Sequence, residues 1–221
     1  PLEKAQEHIR EEKLGGKIAT RLGNGLAPLE PGETDTVIIA GMGGDLICKI
    51  LKAKPEFLIE GKEFILQPQS EWFKVRRLLK EYHYQIEKEW FLKEDGKYYV
   101  IIKAEPAWTQ PQRLKHQQPS IHEYIKEISE TPANQAVSEK DMESIYEQYG
   151  KYLIETKNPV LKEYLKKEIT KKESIAAELK QSIKEMESEE LSGKERGNIA
   201  KRQRRYQEIQ KEIRDMRKAI G

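Results

Sequence analysis

Cysteine is almost missing from this chain: Cys48 stands alone among 221 residues, so no internal disulfide can form. Cys48 sits in an apolar pattern and reads as a small core residue rather than a nucleophile. Histidine is scarce as well. His8, His83, His116 and His122 show no ligand spacing with one another or with the cysteine, so no metal site is expected. No apolar run approaches the roughly 20 residues of a membrane span, and no signal-peptide pattern opens the sequence. A cytoplasmic protein without membrane contact is the expectation. Hydrophobic residues make up only 37% against 35% charged, so part of the chain must be solvated or thinly packed.

Charge is abundant, and it is unevenly placed. From Lys151 to Gly221 there are 19 Lys and Arg against 13 Asp and Glu, about +6, while the rest of the chain carries about −4. The basic end is the expected contact for a polyanion.

The pattern changes character twice along the chain. Up to about Pro106, amphipathic stretches (Leu2 to Leu14, Leu46 to Ala53, Ser70 to Tyr82) alternate with short β-branched runs (Lys17 to Arg21, Thr36 to Ala40, Glu63 to Leu66). That alternation predicts βαβ units on a parallel sheet. Gln85 to Leu92 and Tyr98 to Ala104 flank Asp95-Gly96, a strong hairpin signal, so the sheet is expected to end in an antiparallel pair. Residues 107–137, rich in proline and glutamine, read as a linker with a helix near Ile121 to Ile128. Residues 138–221 read as a helical domain. Leu165, Ile169, Lys172, Ala176, Leu179, Ile183 and Met186 follow a 4,3 spacing. Ile199, Arg202, Tyr206, Ile209, Ile213, Met216 and Ile220 repeat it after a glycine-containing turn. Two such helices predict an antiparallel coiled-coil hairpin.

The stretch Gly41-Met42-Gly43-Gly44 joins an apolar strand to a helix. Ligands bind at the carboxyl ends of strands in open α/β sheets, and glycines let a ligand lie against the main chain. A tight strand-to-helix turn would use the same residues. The spacing fits neither a Walker loop nor a dinucleotide fingerprint. Arg21-Leu22-Gly23-Asn24-Gly25-Leu26 and Leu66-Gln67-Pro68-Gln69 follow the neighbouring runs. Three strand ends could therefore line one crevice.

In order and spacing, "RLGNGL", "TVIIAGMGGDLICKIL", "FILQPQSEWFKVRRLL" and "FLKEDGKYYVIIKAE" resemble the TrmK family of bacterial tRNA (adenine-22, N1) methyltransferases. The resemblance covers most of residues 1–105, and the terminal hairpin is similar to the family's coiled-coil domain. It implies a Rossmann-like class I methyltransferase, here N-terminally truncated, that uses S-adenosylmethionine to methylate an adenine N1 in the tRNA D-arm. By position, Gly23, Asn24, Gly25, Leu26, Ala40, Gly41, Met42 and Gly43 would hold the cofactor. Asn24 stands where the family usually has aspartate, Gln69 where it has asparagine, and Val100 where it commonly has glutamate.

Gln67 and Gln69, flanking Pro68, are expected at the base, where amide oxygens would stabilise the cationic methylated ring. Lys201, Arg202, Arg204 and Arg205 lie within little more than one helical turn and are expected to grip RNA phosphates. Family members carry a preceding segment with two strands, a further glycine-rich loop and the acidic residue that holds the cofactor's ribose. This sequence starts after their counterparts, so an exposed sheet edge is expected. Either the sequence is a portion of a longer enzyme, or it is a cofactor-free relative that binds tRNA or another protein through its hairpin.

Overall fold

The structure, a computed structural model, describes residues 2–107, 135–187 and 193–221. Helix α1 (Leu2–Glu11) is followed by β1 (Thr36–Met42), α2 (Gly44–Ala53), the single turn α3 (Glu56–Ile59), β2 (Glu63–Pro68), α4 (Trp72–Glu81), β3 (Tyr84–Glu94) and β4 (Lys97–Pro106). The helical part comprises α5 (Gln135–Tyr149), α6 (Lys151–Glu155), α7 (Pro159–Glu187) and α8 (Gly193–Ile220). No described helix is long and apolar enough to cross a membrane.

The four strands form one sheet in the order β1-β2-β4-β3. β1 and β2 are parallel, and Ile39 stands opposite Leu66. β4 runs antiparallel to β2 on one side and to β3 on the other. The hairpin therefore folds its second strand inward and leaves β3 at the edge. Its turn is as expected, with Asp95 and Gly96 both at positive φ, 47° and 76°, the type I′ geometry whose twist matches the strands. Alternation fixes which face is packed: Val37 and Ile39 of β1, Phe64 and Leu66 of β2, and Val100, Ile102 and Ala104 of β4 are buried. They meet Ile47 and Leu51 of α2 and Val75, Leu78 and Leu79 of α4. Val100 is fully enclosed in this core, where a carboxylate would be left without water.

One predicted strand does not form. Lys17 to Arg21 forms no strand: among the described residues no strand edge pairs with it, and the Lys17 and Ile18 N–H groups instead donate to the Leu14 carbonyl at 2.8 and 2.9 Å. Ile18 stays 44% exposed. Arg21 instead closes its own loop, donating to the Glu33 carboxylate at 2.6 and 2.7 Å and to the Pro28 carbonyl at 3.0 Å. The expected linker falls mostly on residues 108–134, and its helix near Ile121 to Ile128 lies outside the described residues.

The helical part packs directly on the sheet unit. Arg76 of α4 and Glu89 of β3 form a buried ion pair, Nε to Oε1 at 2.7 Å, and Arg76 Nη1 donates to the carbonyls of Glu147 and Gln148 at 3.0 Å each. A guanidinium thus satisfies carbonyl groups that the end of α5 leaves without intrahelical partners. Desolvation holds the Glu89 carboxyl above its usual range, opposed by Arg76. Nearby, Trp72, Phe91, Tyr98 and Tyr164 stack with centroid separations of 5.0–5.8 Å.

Helix α7 starts where Asn158 Oδ1 accepts from the amides of Val160 and Leu161, both at 3.0 Å, with Pro159 in the first helical position. That is the favoured chemistry for a helix start. α7 and α8 then pair along the predicted seam. Leu165, Ala176, Ile199, Ile209, Ile213 and Met216 are buried. The two polar seam members are matched across it: Lys172 bonds Glu212, and Arg202 bonds Ser182. The glycine-containing turn expected between the helices falls partly on residues 188–192, outside the described residues.

Candidate functional site

Two of the three glycine- and amide-bearing stretches meet at the adjacent ends of β1 and β2. Ala40 lies opposite Gln67 and Met42 opposite Pro68, so Gly41 is an extra residue in the register. Gly41 has φ +77°, and an added Cβ there would meet open space. Its N–H donates to Gln67 Oε1 at 2.7 Å, and the Gln69 N–H donates to the Met42 carbonyl at 2.8 Å. A Gly bulge at a strand end is a common way to re-aim the main chain beside a site.

Gly44 has a different reason. Its N–H donates to the Ser70 carbonyl at 2.9 Å, and a Cβ would sit 2.5 Å from the Glu71 carbonyl oxygen. What approaches the chain there is the chain itself, in the loop leading to α4. The glycine cluster is thus divided: Gly44 serves internal packing, while Gly41 faces open space.

Charged groups frame this loop. Asp45, in the first turn of α2, pairs with Lys49 at 2.8 Å and Lys74 at 2.9 Å. These two ammonium groups, Lys49 first, pull its carboxyl down to about 2. Glu71, at φ 47°, accepts from Ser70 Oγ at 2.9 Å. Cys48 is half-buried, and desolvation raises its thiol pKa, the opposite of what a nucleophile needs. Among the described residues no group of three or more His, Cys, Asp or Glu is arranged to hold a metal ion.

The third stretch lies elsewhere along α2. Leu26 is buried, and the backbone at Gly25 lies against Ile50, which a Cβ would meet at 2.8 Å. Ile50 is roughly 9 Å along the α2 axis from Gly44 at the rise of an α-helix. Gly23, Asn24 and Gly25 are exposed, so the Asn24 amide is open to a ligand. Lys201, Arg202, Arg204 and Arg205 sit on α8, roughly 18–24 Å along the axis from Arg217. Arg217 pairs with Glu173, and its neighbour Lys218 with Asp141 of α5. The basic turn therefore projects toward the far end of the hairpin. Arg205 is held by Glu208 at 3.1 Å and Glu212 at 3.4 Å. Lys201 and Arg204 are exposed, and neither has an ion pair among the described residues. The residue missed from sequence is Arg76, whose buried contacts hold the two parts together; a helix-interior arginine carries no signal of burial.

Comparison with known proteins decides the family. The family model described as tRNA (adenine(22)-N(1))-methyltransferase, TrmK, matches residues 1–144. The chain belongs to the TrmK family. Within it, the chain is 37% identical over 105 residues to the tRNA (adenine(22)-N(1))-methyltransferase of Bacillus subtilis (strain 168), a match that covers 48% of this chain and 44% of that protein. The match thus spans less than half the length of that relative. Among solved structures the fold is similar to that of B. subtilis TrmK, the M1A22 tRNA methyltransferase, with TM-score 0.69, 23% identity, and 100% of this chain against 78% of that one covered. It is also similar to M. capricolum TrmK in complex with S-adenosyl-homocysteine, with TM-score 0.62, 21% identity, and 100% and 76% covered. The TrmK relatives thus confirm the Rossmann-like sheet with a helical C-terminal part.

Proposed function

We propose that this TrmK chain acts, in the cytoplasm, in methylating N1 of an adenine in the D-arm of tRNA with S-adenosylmethionine as donor. The family match over residues 1–144 carries this reading, because it spans all three glycine- and amide-bearing stretches. The strand ends fit such a cofactor in one respect: a Cβ at Gly41 would meet nothing within 4 Å, so the main chain there is open to a ligand. Ala40, Gly41, Met42 and Gly43 would form its platform. Asn24, flanked by Gly23, Gly25 and the anchored Leu26, would offer an amide to the cofactor's ring.

S-adenosylmethionine supplies an electrophilic methyl group. Adenine N1 carries a lone pair and needs no base to expose it, so the protein's task is to align the ring for in-line attack. Gln69 is exposed at the strand end and offers an amide oxygen toward the ring, which becomes cationic. Because N1 lies on the pairing edge, the base must leave its stack, which costs a few kcal/mol. Lys201, Arg202, Arg204 and Arg205 would contribute phosphate contacts that offset part of this cost.

Calorimetric titration of S-adenosylmethionine into the chain, beside the B. subtilis relative, tests the reading together with a methylation assay on tRNA. Binding by the chain and formation of 1-methyladenosine support it. Binding of tRNA with neither cofactor binding nor methylation would instead favour a tRNA-binding protein without catalysis. Association with a protein and no affinity for tRNA would favour a coiled-coil interaction role.

A further inference from the structure

We infer that Glu71 is a positioning residue: its carboxylate caps helix α2 from another loop and so fixes the Gly43-Gly44-Asp45 turn beside the open main chain at Gly41. That a cofactor lies on this main chain rests on the methyl-transfer reading above; the cap rests on the geometry of the two strand-end loops.

Helix α2 begins without a cap of its own. Its N-cap position is Gly43, which has no side chain to offer, and no side-chain cap bond is made there. A helix leaves its first N–H groups without intrahelical partners, and here the chain 26 residues later supplies them. The Gly44 N–H donates to the Ser70 carbonyl at 2.9 Å, and the Asp45 N–H donates to Glu71 Oε2 at 3.4 Å. The Ile47 N–H donates to the Gly43 carbonyl at 3.1 Å and starts the helical ladder. A carboxylate at this end is favoured by the helix dipole as well.

The carboxylate is held from two further sides. Ser70 Oγ donates to Oε2 at 2.9 Å, and Lys74 Nζ lies 3.8 Å from Oε1 while bonding Asp45 Oδ1 at 2.9 Å. Lys74 thereby ties the cap to the first turn of α2. By its place in the chain Glu71 is the N-cap of α4, yet its side chain does not cap that helix. Its backbone is left-handed, φ 47° and ψ 44°, where a residue with a Cβ is strained; such strain persists only where the surrounding structure imposes it. The conformation brings the Ser70 and Glu71 carbonyl oxygens to 2.7 and 2.5 Å from where a Gly44 Cβ would sit. Glycine would adopt it freely, but glycine carries no acceptor for the Asp45 N–H. Gly43 lies against the same group: a Cβ there would meet Ser70 Oγ at 3.1 Å and Glu71 Oε2 at 3.6 Å. The cap therefore sits beside the last residue of the expected cofactor platform.

Three variants of the 15N-labelled chain test this by amide hydrogen exchange, which reports local opening. Glu71→Gly relieves the backbone strain and removes the carboxylate, Glu71→Ala removes the carboxylate alone, and Glu71→Gln keeps an acceptor oxygen. In the Gly and Ala variants the Gly44 and Asp45 amides are expected to exchange at least tenfold faster, with the amides of β2 and β4 unchanged. Glu71→Gln is expected to stay within threefold of the wild type. Unchanged exchange at Asp45 in the Gly and Ala variants, equal acceleration in all three, or uniform acceleration across the sheet overturns the assignment. Titration of S-adenosylmethionine into the same proteins separates this inference from the reading it rests on. Affinity at least fivefold weaker in the Gly variant, and near wild type in the Gln variant, upholds the positioning role; equal affinity in all four proteins overturns it. A wild-type chain that shows the exchange pattern without binding the cofactor upholds the cap and rejects the cofactor reading.

Discussion

At the scale of single residues, the most consequential group is Arg76. Its side chain is 3% exposed and that of Glu89 is not exposed at all. Removing one partner of a buried pair strands the other, typically at about 3–5 kcal/mol. Arg76→Ala is expected to fall in that range by urea denaturation, with additional loss from the two α5 carbonyls. Arg76→Met combined with Glu89→Leu removes both charges and is expected to recover more than half of the loss. Gly44→Ala provides a second check. Backbone atoms at Glu71 cannot move aside cheaply, so about 1–3 kcal/mol of overpacking is expected, read as a lower urea midpoint at unchanged slope.

At the scale of elements, the junction between β3, β4 and α7 depends on a carboxylate. Glu163 accepts from Lys93 at 2.6 Å and from the Tyr98 hydroxyl at 3.1 Å, and pairs with Lys167 at 3.3 Å. Lys93, then Lys167 and Tyr98, pull its carboxyl from 4.5 to about 2. A depressed carboxyl pKa gives stability that is fully present above the unfolded value and lost as pH falls through the folded one. Glu163→Gln is therefore expected to make the pH dependence of the melting temperature shallower between about pH 4.5 and 2 and to leave its shape above pH 5 unchanged. Sequence pattern located this junction poorly. Tyr98 and Tyr164 read as members of a strand and a helix, and nothing local says that their rings stack at 5.0 Å.

At the scale of the whole molecule, the charge asymmetry acquires a direction. The +6 segment includes a hairpin on which Lys201 and Arg204 are exposed, well along α8 from the Lys218–Asp141 contact with α5. RNA affinity through such contacts falls with salt in proportion to the phosphates neutralised. Arg204→Glu is expected to lower tRNA affinity and to reduce the slope of log Kd against log salt by about 1. Arg205→Glu removes a cation already held by Glu208 and Glu212, and its effect on the slope is expected to be smaller. Filter binding across a salt series checks both.

Local sequence was sufficient wherever a rule acts over a few residues. The Asp95-Gly96 turn and the 4,3 spacing of Leu165 through Met216 each encode their structure in short-range dihedral and burial preferences. Tertiary structure decided what depends on distant partners. Lys17 to Arg21 has the composition of a strand but pairs with none. β4 enters between β2 and β3 because one of its faces fills the core under α2 and α4, which no local pattern of a hairpin specifies. The same limit applied at the crevice. The glycines and glutamines were legible as a cluster, but which were claimed by the protein's own backbone was not. The contacts of Gly44 with Ser70 and of Gly41 with Gln67 join residues 26 positions apart, and only folding brings them within hydrogen-bond distance.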